Sequence, residues 1–163
     1  MLRVMKIFKI NYVYWAMVLN VITVLALALM ELSGNNQGYN PQSALFIAYQ
    51  FIIPVIVWFL CIRARKKQLK NKLTFKQGMR EGILLGLVFG LTSPFIFLVY
   101  YTMVNPGIVE WLRHGSSDPT WWVIGKDMLL SLIVCFVTGL LLSPPISFLL
   151  MNKWKKHLMG MLN

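Results

Sequence analysis

The chain has 163 residues, 58% of them hydrophobic and 13% charged, which leaves too little polar surface for a soluble domain of that size. Sixteen basic residues against five acidic ones give a formal charge of +11. The cations sit in short runs beside long apolar segments, as loops do where they meet anionic headgroups, and they leave no basic face for nucleic acid.

Arg3, Lys6 and Lys9 precede an apolar stretch from Asn11 to Met30, an arrangement that mimics a signal peptide. About twenty residues are long for a signal core but match the ~30 Å of hydrocarbon that a helix must cross. No small-x-small cleavage site follows, so the stretch is read as a retained first span. The second span is expected over 43–62, the third over 82–104 and the fourth over 128–150. The whole chain, 1–163, then forms one all-α membrane domain, a bundle of four transmembrane helices.

The connection from Glu31 to Gln42 has no Lys or Arg, whereas Arg63 to Gln77 holds Arg63, Arg65, Lys66, Lys67, Lys70, Lys72 and Lys76, with Arg80 just beyond. The third connection has only Arg113 and Lys126, opposed by Glu110, Asp118 and Asp127, and the tail carries Lys153, Lys155 and Lys156. The excess of cations on the cytoplasmic side therefore places both termini and the second connection inside, and the first and third connections outside. Arg63, Arg65, Lys66, Lys67, Lys70 and Lys72 are the expected contacts to anionic lipid headgroups. Trp121, Trp122, Tyr100 and Tyr101 suit an outer aromatic belt, and Trp15, Trp58 and Trp154 lie near the inner boundary. Gly107 to Arg113 is expected to make a short outer helix at the interface, with Ile108, Trp111 and Leu112 toward lipid. His114 to Pro119 then breaks it.

Gly78, Gly82, Gly86 and Gly90 recur every four residues and so share one face of the third span, where missing side chains admit another helix backbone. That face packs either against the chain's own helices or against the same ladder in another copy. Glu81, beside Lys76 and Arg80, complements the start of this helix. Pro54, Pro94 and the pair Pro144-Pro145 fall inside spans and predict kinks, with Gln50, Ser143 and Ser147 as local partners for the loosened backbone. Gly90-Leu-Thr-Ser-Pro94 and Gly139-Leu-Leu-Leu-Ser-Pro144 resemble each other on spans of opposite direction.

Asn20, Thr23, Gln50, Thr92, Ser93, Ser131 and Thr138 are the polar groups expected within hydrocarbon, and none ionises. The span centres thus lack the acid, base or histidine that an ion-coupled carrier uses. Asn20 and Gln50 are read as interhelical hydrogen-bond partners. Cys61 and Cys135 lie in different spans toward opposite edges, as small buried hydrophobes and not as a disulfide. His114 and His157 fall on opposite sides, so they share no metal site. No zinc, phosphate-loop or nucleophile motif is present. Glu110, His114, Asp118 and Asp127 cluster on the outer loop without a nucleophile, so no enzyme and no cofactor are expected.

Leu73-Thr-Phe-Lys-Gln-Gly-Met-Arg-Glu-Gly82, with its F-x-x-G-x-x-x-G entry, and Tyr100-Tyr-Thr-Met-Val-Asn-Pro106 together resemble the bacterial membrane family of domain of unknown function 4199. The resemblance implies four spans, a basic second connection and a bacterial inner membrane of the Bacteroidetes group. It transfers no catalytic residue. The chain departs from many members in a shorter, less charged outer segment. The leading expectation is a small non-enzymatic membrane protein that acts by helix association with itself or a membrane partner. The second is a channel or transporter subunit whose pore is shaped by the ladder and the kinks.

Overall fold

A computed structural model describes residues 11–32, 51–107, 109, 113 and 117–151 of the chain. The described residues form four α-helices: α1 (Asn11–Leu32), α2 (Ile53–Gln68), α3 (Phe75–Val99) and α4 (Thr120–Leu150). Among the described residues three helical stretches are long and apolar enough to cross a membrane, Asn11–Leu29, Phe75–Val104 and Thr120–Leu150. The first half of the expected second span, with Gln50, lies outside the described residues, as do both chain ends, the first connection and most of the outer segment 108–116. Within that segment Gly107, Val109 and Arg113 are helical, and Val109 is buried.

The helices overrun the apolar windows at their charged ends. α2 continues past Ile62 through Arg63-Ala-Arg-Lys-Lys-Gln68, because long basic side chains are good helix formers and suit a helix C-terminus. It stops in a Schellman arrangement. Asn71 N–H donates to Lys66 O at 2.9 Å and Lys70 N–H to Lys67 O at 3.0 Å, with Lys70 and Asn71 at φ 51° and 64°. α3 starts seven residues before Gly82, where Thr74 Oγ1 accepts from Gln77 N–H at 3.3 Å and Gln77 Oε1 accepts from Thr74 N–H at 3.1 Å. α3 runs unbroken through Pro94 and ends in a π-helical turn, Tyr100–Val104, closed by Asn105 N–H on Tyr100 O at 2.9 Å. α4 begins directly after Pro119, where the sequence places its break, and is continuous through Pro144 and Pro145.

Asn11 of α1 meets Glu81 near the start of α3, and Lys66 near the end of α2 reaches Leu150 at the end of α4. One end of the bundle, the basic end, therefore collects the start of α1, the α2–α3 hairpin and the end of α4. The α3–α4 contact is the most extensive, followed by α1–α3. The core nearer the basic end is built around Trp58, Leu19, Ile62, Leu85 and Phe89, and a second cluster near the other end around Phe97, Tyr100, Tyr101, Val123 and Ile124. Elsewhere the surface is apolar. Val21, Leu25, Phe95, Leu129 and Leu141 are each more than half exposed, which matches a lipid-facing protein and not a soluble one.

Candidate functional site

Small residues decide how α3 and α4 meet. A Cβ placed on Gly78 would lie 2.6 Å from Ser147 Oγ, and one on Gly82 would lie 2.9 Å from Ser143 Cβ. On Gly86 it would lie 2.9 Å from Cys135 O and 3.1 Å from Gly139 Cα, and on Gly90 it would lie 3.2 Å from Cys135 Cβ. Each step of four along α3 is matched by a step of four back along α4, through Ser147, Ser143, Gly139 and Cys135. The ladder of one helix thus faces a second small-residue ladder running the other way. Its spacing, Cys-x-x-x-Gly-x-x-x-Ser-x-x-x-Ser, was legible in the chain but was masked by reading Ser143 and Ser147 as partners of the prolines. Ser143 gives its hydroxyl to Gly139 O one turn back, whereas Ser147 Oγ is buried without a hydrogen-bond partner.

Trp58 locks α2 onto this seam. Its ring is buried against the core, and its Nε1–H donates to Gly82 O at 3.1 Å, an acceptor accessible because Gly82 has no side chain. At the basic end Asn11 Nδ2 donates to Glu81 Oε1 at 2.8 Å and to Cys61 O at 2.9 Å, while Arg65 Nε stands 3.6 Å from Glu81 Oε2. Glu81 is buried and ties three helices together. Its partners are Asn11 and Arg65, whereas the nearest cations in sequence, Lys76 and Arg80, are exposed. Further along, Asn20 Nδ2 donates to Thr92 Oγ1 at 2.7 Å, joining α1 to α3. At the far end Tyr101 O–H donates to Asp127 Oδ2 at 2.6 Å.

The residues expected at headgroups separate into two groups. Lys66 Nζ donates to Leu150 O at 2.7 Å and Arg65 attends Glu81, so both serve the bundle. Arg63, Lys67, Lys70 and Lys72 are exposed. Pro54 sits in the first turn of α2, Pro94 is buried in α3, and Pro145 is exposed on α4. The two described outer acids have separate partners. Asp118 pairs with Lys126 at 2.8 Å, Asp127 with Tyr101, and Glu110 and His114 lie outside the described residues. Cys61 and Cys135 are both free. Among the described residues no three His, Cys, Asp or Glu side chains come close enough to hold a metal ion.

Between α2 and α4, floored by α3, runs a cleft of about 460 Å³. Pro54, Val55 and Trp58 form one wall, and Phe89 and Phe97 the floor. Along the other wall Asp127, Ser131, Cys135 and Thr138 supply the polar groups, spaced by three or four residues on one face of α4. Sequence reading placed Ser131 and Thr138 in hydrocarbon but did not bring them together with Asp127. The i, i+4, i+8, i+11 spacing was the available signal.

Comparison with known proteins gives one family. The model described as "Protein of unknown function (DUF4199)" matches residues 13–114, which span α1, α2, α3 and the turn that follows. No curated protein and no solved structure matches the chain.

Proposed function

The chain belongs to the DUF4199 family, and from that premise we propose that it is a non-enzymatic four-span protein of a bacterial inner membrane that works by helix association in the plane of the membrane. Both termini and the basic hairpin lie on the cytoplasmic side in this reading, and the segment after Pro106 rests on the outer surface. The excess of Lys and Arg at the basic end supports that orientation. The observation that carries the association is the one-sidedness of α4. Only 17% of its apolar stretch is buried, against 44% for α3, although the two are joined along the whole seam. With the glycine ladder filled from within the chain, the exposed face of α4 is an apolar surface left for packing. Leu129, Ile133, Val137 and Leu141 line it at four-residue spacing, all exposed. The partner proposed for this stripe is a second copy.

Single cysteines at Ile133 and Val137, in a chain with Cys61 and Cys135 changed to Ala, test this by oxidative crosslinking in native membranes. A crosslinked dimer from these positions, and none from Val21→Cys on α1, is the expected result. A monomer in native membranes, with no crosslink at any position on the stripe, would falsify self-association. The channel or transporter reading has the α2–α4 cleft in its favour. Ion flux from proteoliposomes that falls when Val134→Trp fills the cleft would support it, and absence of flux would remove it.

A further inference from the structure

We propose that the cleft between α2 and α4 is a binding site for a phospholipid with a primary-amine headgroup, one acyl chain lying in the cleft and the amine on Asp127. The site is tested independently of self-association, since its lining residues on α4, Asp127, Ser131, Cys135 and Thr138 among them, are not those of the stripe Leu129, Ile133, Val137 and Leu141.

Three observations converge. At about 460 Å³ the cleft falls within the range of roughly 300–1,000 Å³ typical of ligand sites, and its lining is mainly apolar with a few grouped polar atoms. It opens sideways at residues that both line it and are exposed, namely Phe51 and Val55 on α2 and Leu130 and Val134 on α4. In a membrane-spanning bundle that opening faces lipid, so the apolar part of an occupant enters from the bilayer and not from water. The third is charge. Asp127 stands where the apolar run of α4 begins, seven residues after Thr120, and a carboxylate at that depth is costly unless a donor meets it. Tyr101 O–H fills one oxygen, Oδ2, and fixes the side chain. The adjacent cation, Lys126, is directed elsewhere, to Asp118 at 2.8 Å and over the Trp122 ring at 5.2 Å. Oδ1 is then the acceptor for an ammonium arriving with a lipid, a pairing that an anionic glycerol headgroup does not offer.

Full-length protein in proteoliposomes tests the site with two photoactivatable probes. They carry the same diazirine-bearing acyl chain on phosphatidylethanolamine and on phosphatidylglycerol, and the adducts are mapped by peptide mass spectrometry. Adducts are expected at 51–58 and 130–138, with the amine lipid favoured by roughly fivefold, the ratio that about 1 kcal/mol produces. Asp127→Asn should erase that preference, Asp127→Glu should keep it, and Val134→Trp should remove cleft adducts with both probes. Equal labelling by the two lipids, or a preference that survives Asp127→Asn, would overturn the amine assignment. Adducts as abundant at Val21, Leu25 and Leu141 as in the cleft would show ordinary boundary lipid and overturn the site.

Discussion

Gly86 and Gly139 face each other across the α3–α4 seam, so near that a Cβ on Gly86 would stand 3.1 Å from the Cα of Gly139. Backbone cannot swing away as a long side chain can, and the carbonyl of Cys135 would lie nearer still, at 2.9 Å. Gly86→Ala is expected to push the helices apart at a cost of about 1–3 kcal/mol, with Gly86→Leu worse. Gly125, also on a helix, has nothing within 4 Å of such a Cβ. Gly125→Ala should therefore be neutral or stabilising by about 0.5–1 kcal/mol through helix propensity. Unfolding of the two variants in mixed micelles measures the contrast, and equal destabilisation would mean that the seam is not the tight point.

The buried clasp at the basic end predicts a graded series. Glu81→Ala removes the acceptor of Asn11 and the counter-charge of Arg65 together, and should cost about 1–3 kcal/mol. Glu81→Gln keeps an oxygen for Asn11 and should lose less. Arg65→Ala should cost under about 1 kcal/mol, because the Arg65 side chain is 39% exposed and the pair spans 3.6 Å. The same unfolding measurement ranks them. An Arg65 variant as damaging as Glu81→Ala would mean that the ion pair, not the amide, holds the clasp.

Trp58 offers a test of how α2 is held. Trp58→Phe keeps most of the buried ring but loses the hydrogen bond to Gly82 O, leaving a buried carbonyl with less support. A loss of about 0.5–1.5 kcal/mol is expected, against about 3–5 kcal/mol for Trp58→Ala. Thermal unfolding of both variants separates the hydrogen bond from the packing.

Length and apolarity carried the all-helical, membrane-crossing character of the chain, because a helix that crosses hydrocarbon needs an apolar run of fixed length. The four-residue glycine spacing marked the seam helix, since small-residue contacts are local in sequence on each partner. The antiparallel partner ladder on α4 was harder to see. Cys135, Ser143 and Ser147 are small but chemically unlike, and only a register between two distant helices reveals that they act together. Glu81 shows the same limit. Lys76 and Arg80 are its neighbours in the chain, but its partners come from 70 residues upstream on α1 and from α2. The cleft was least legible, because its walls belong to helices whose relative placement follows from the seam.

The basic hairpin predicts that neighbouring lysines behave differently. Lys66 places its ammonium on Leu150 O at 2.7 Å, satisfying a carbonyl at the end of α4 that has no partner within its own helix. Lys66→Met should therefore lower stability, by about 0.5–2 kcal/mol, and leave lipid selectivity nearly unchanged. Lys67, Lys70 and Lys72 are exposed on the same hairpin. Changing all three to Gln should leave the bundle intact while weakening attraction to anionic lipid by about 1 kcal/mol per residue at low salt. Copurified phosphatidylglycerol per protein, measured with thermal unfolding on the same samples, reads both quantities. Loss of bound anionic lipid in the Lys66 variant alone would reverse the assignment, placing the headgroup contact at the helix end and not on the hairpin.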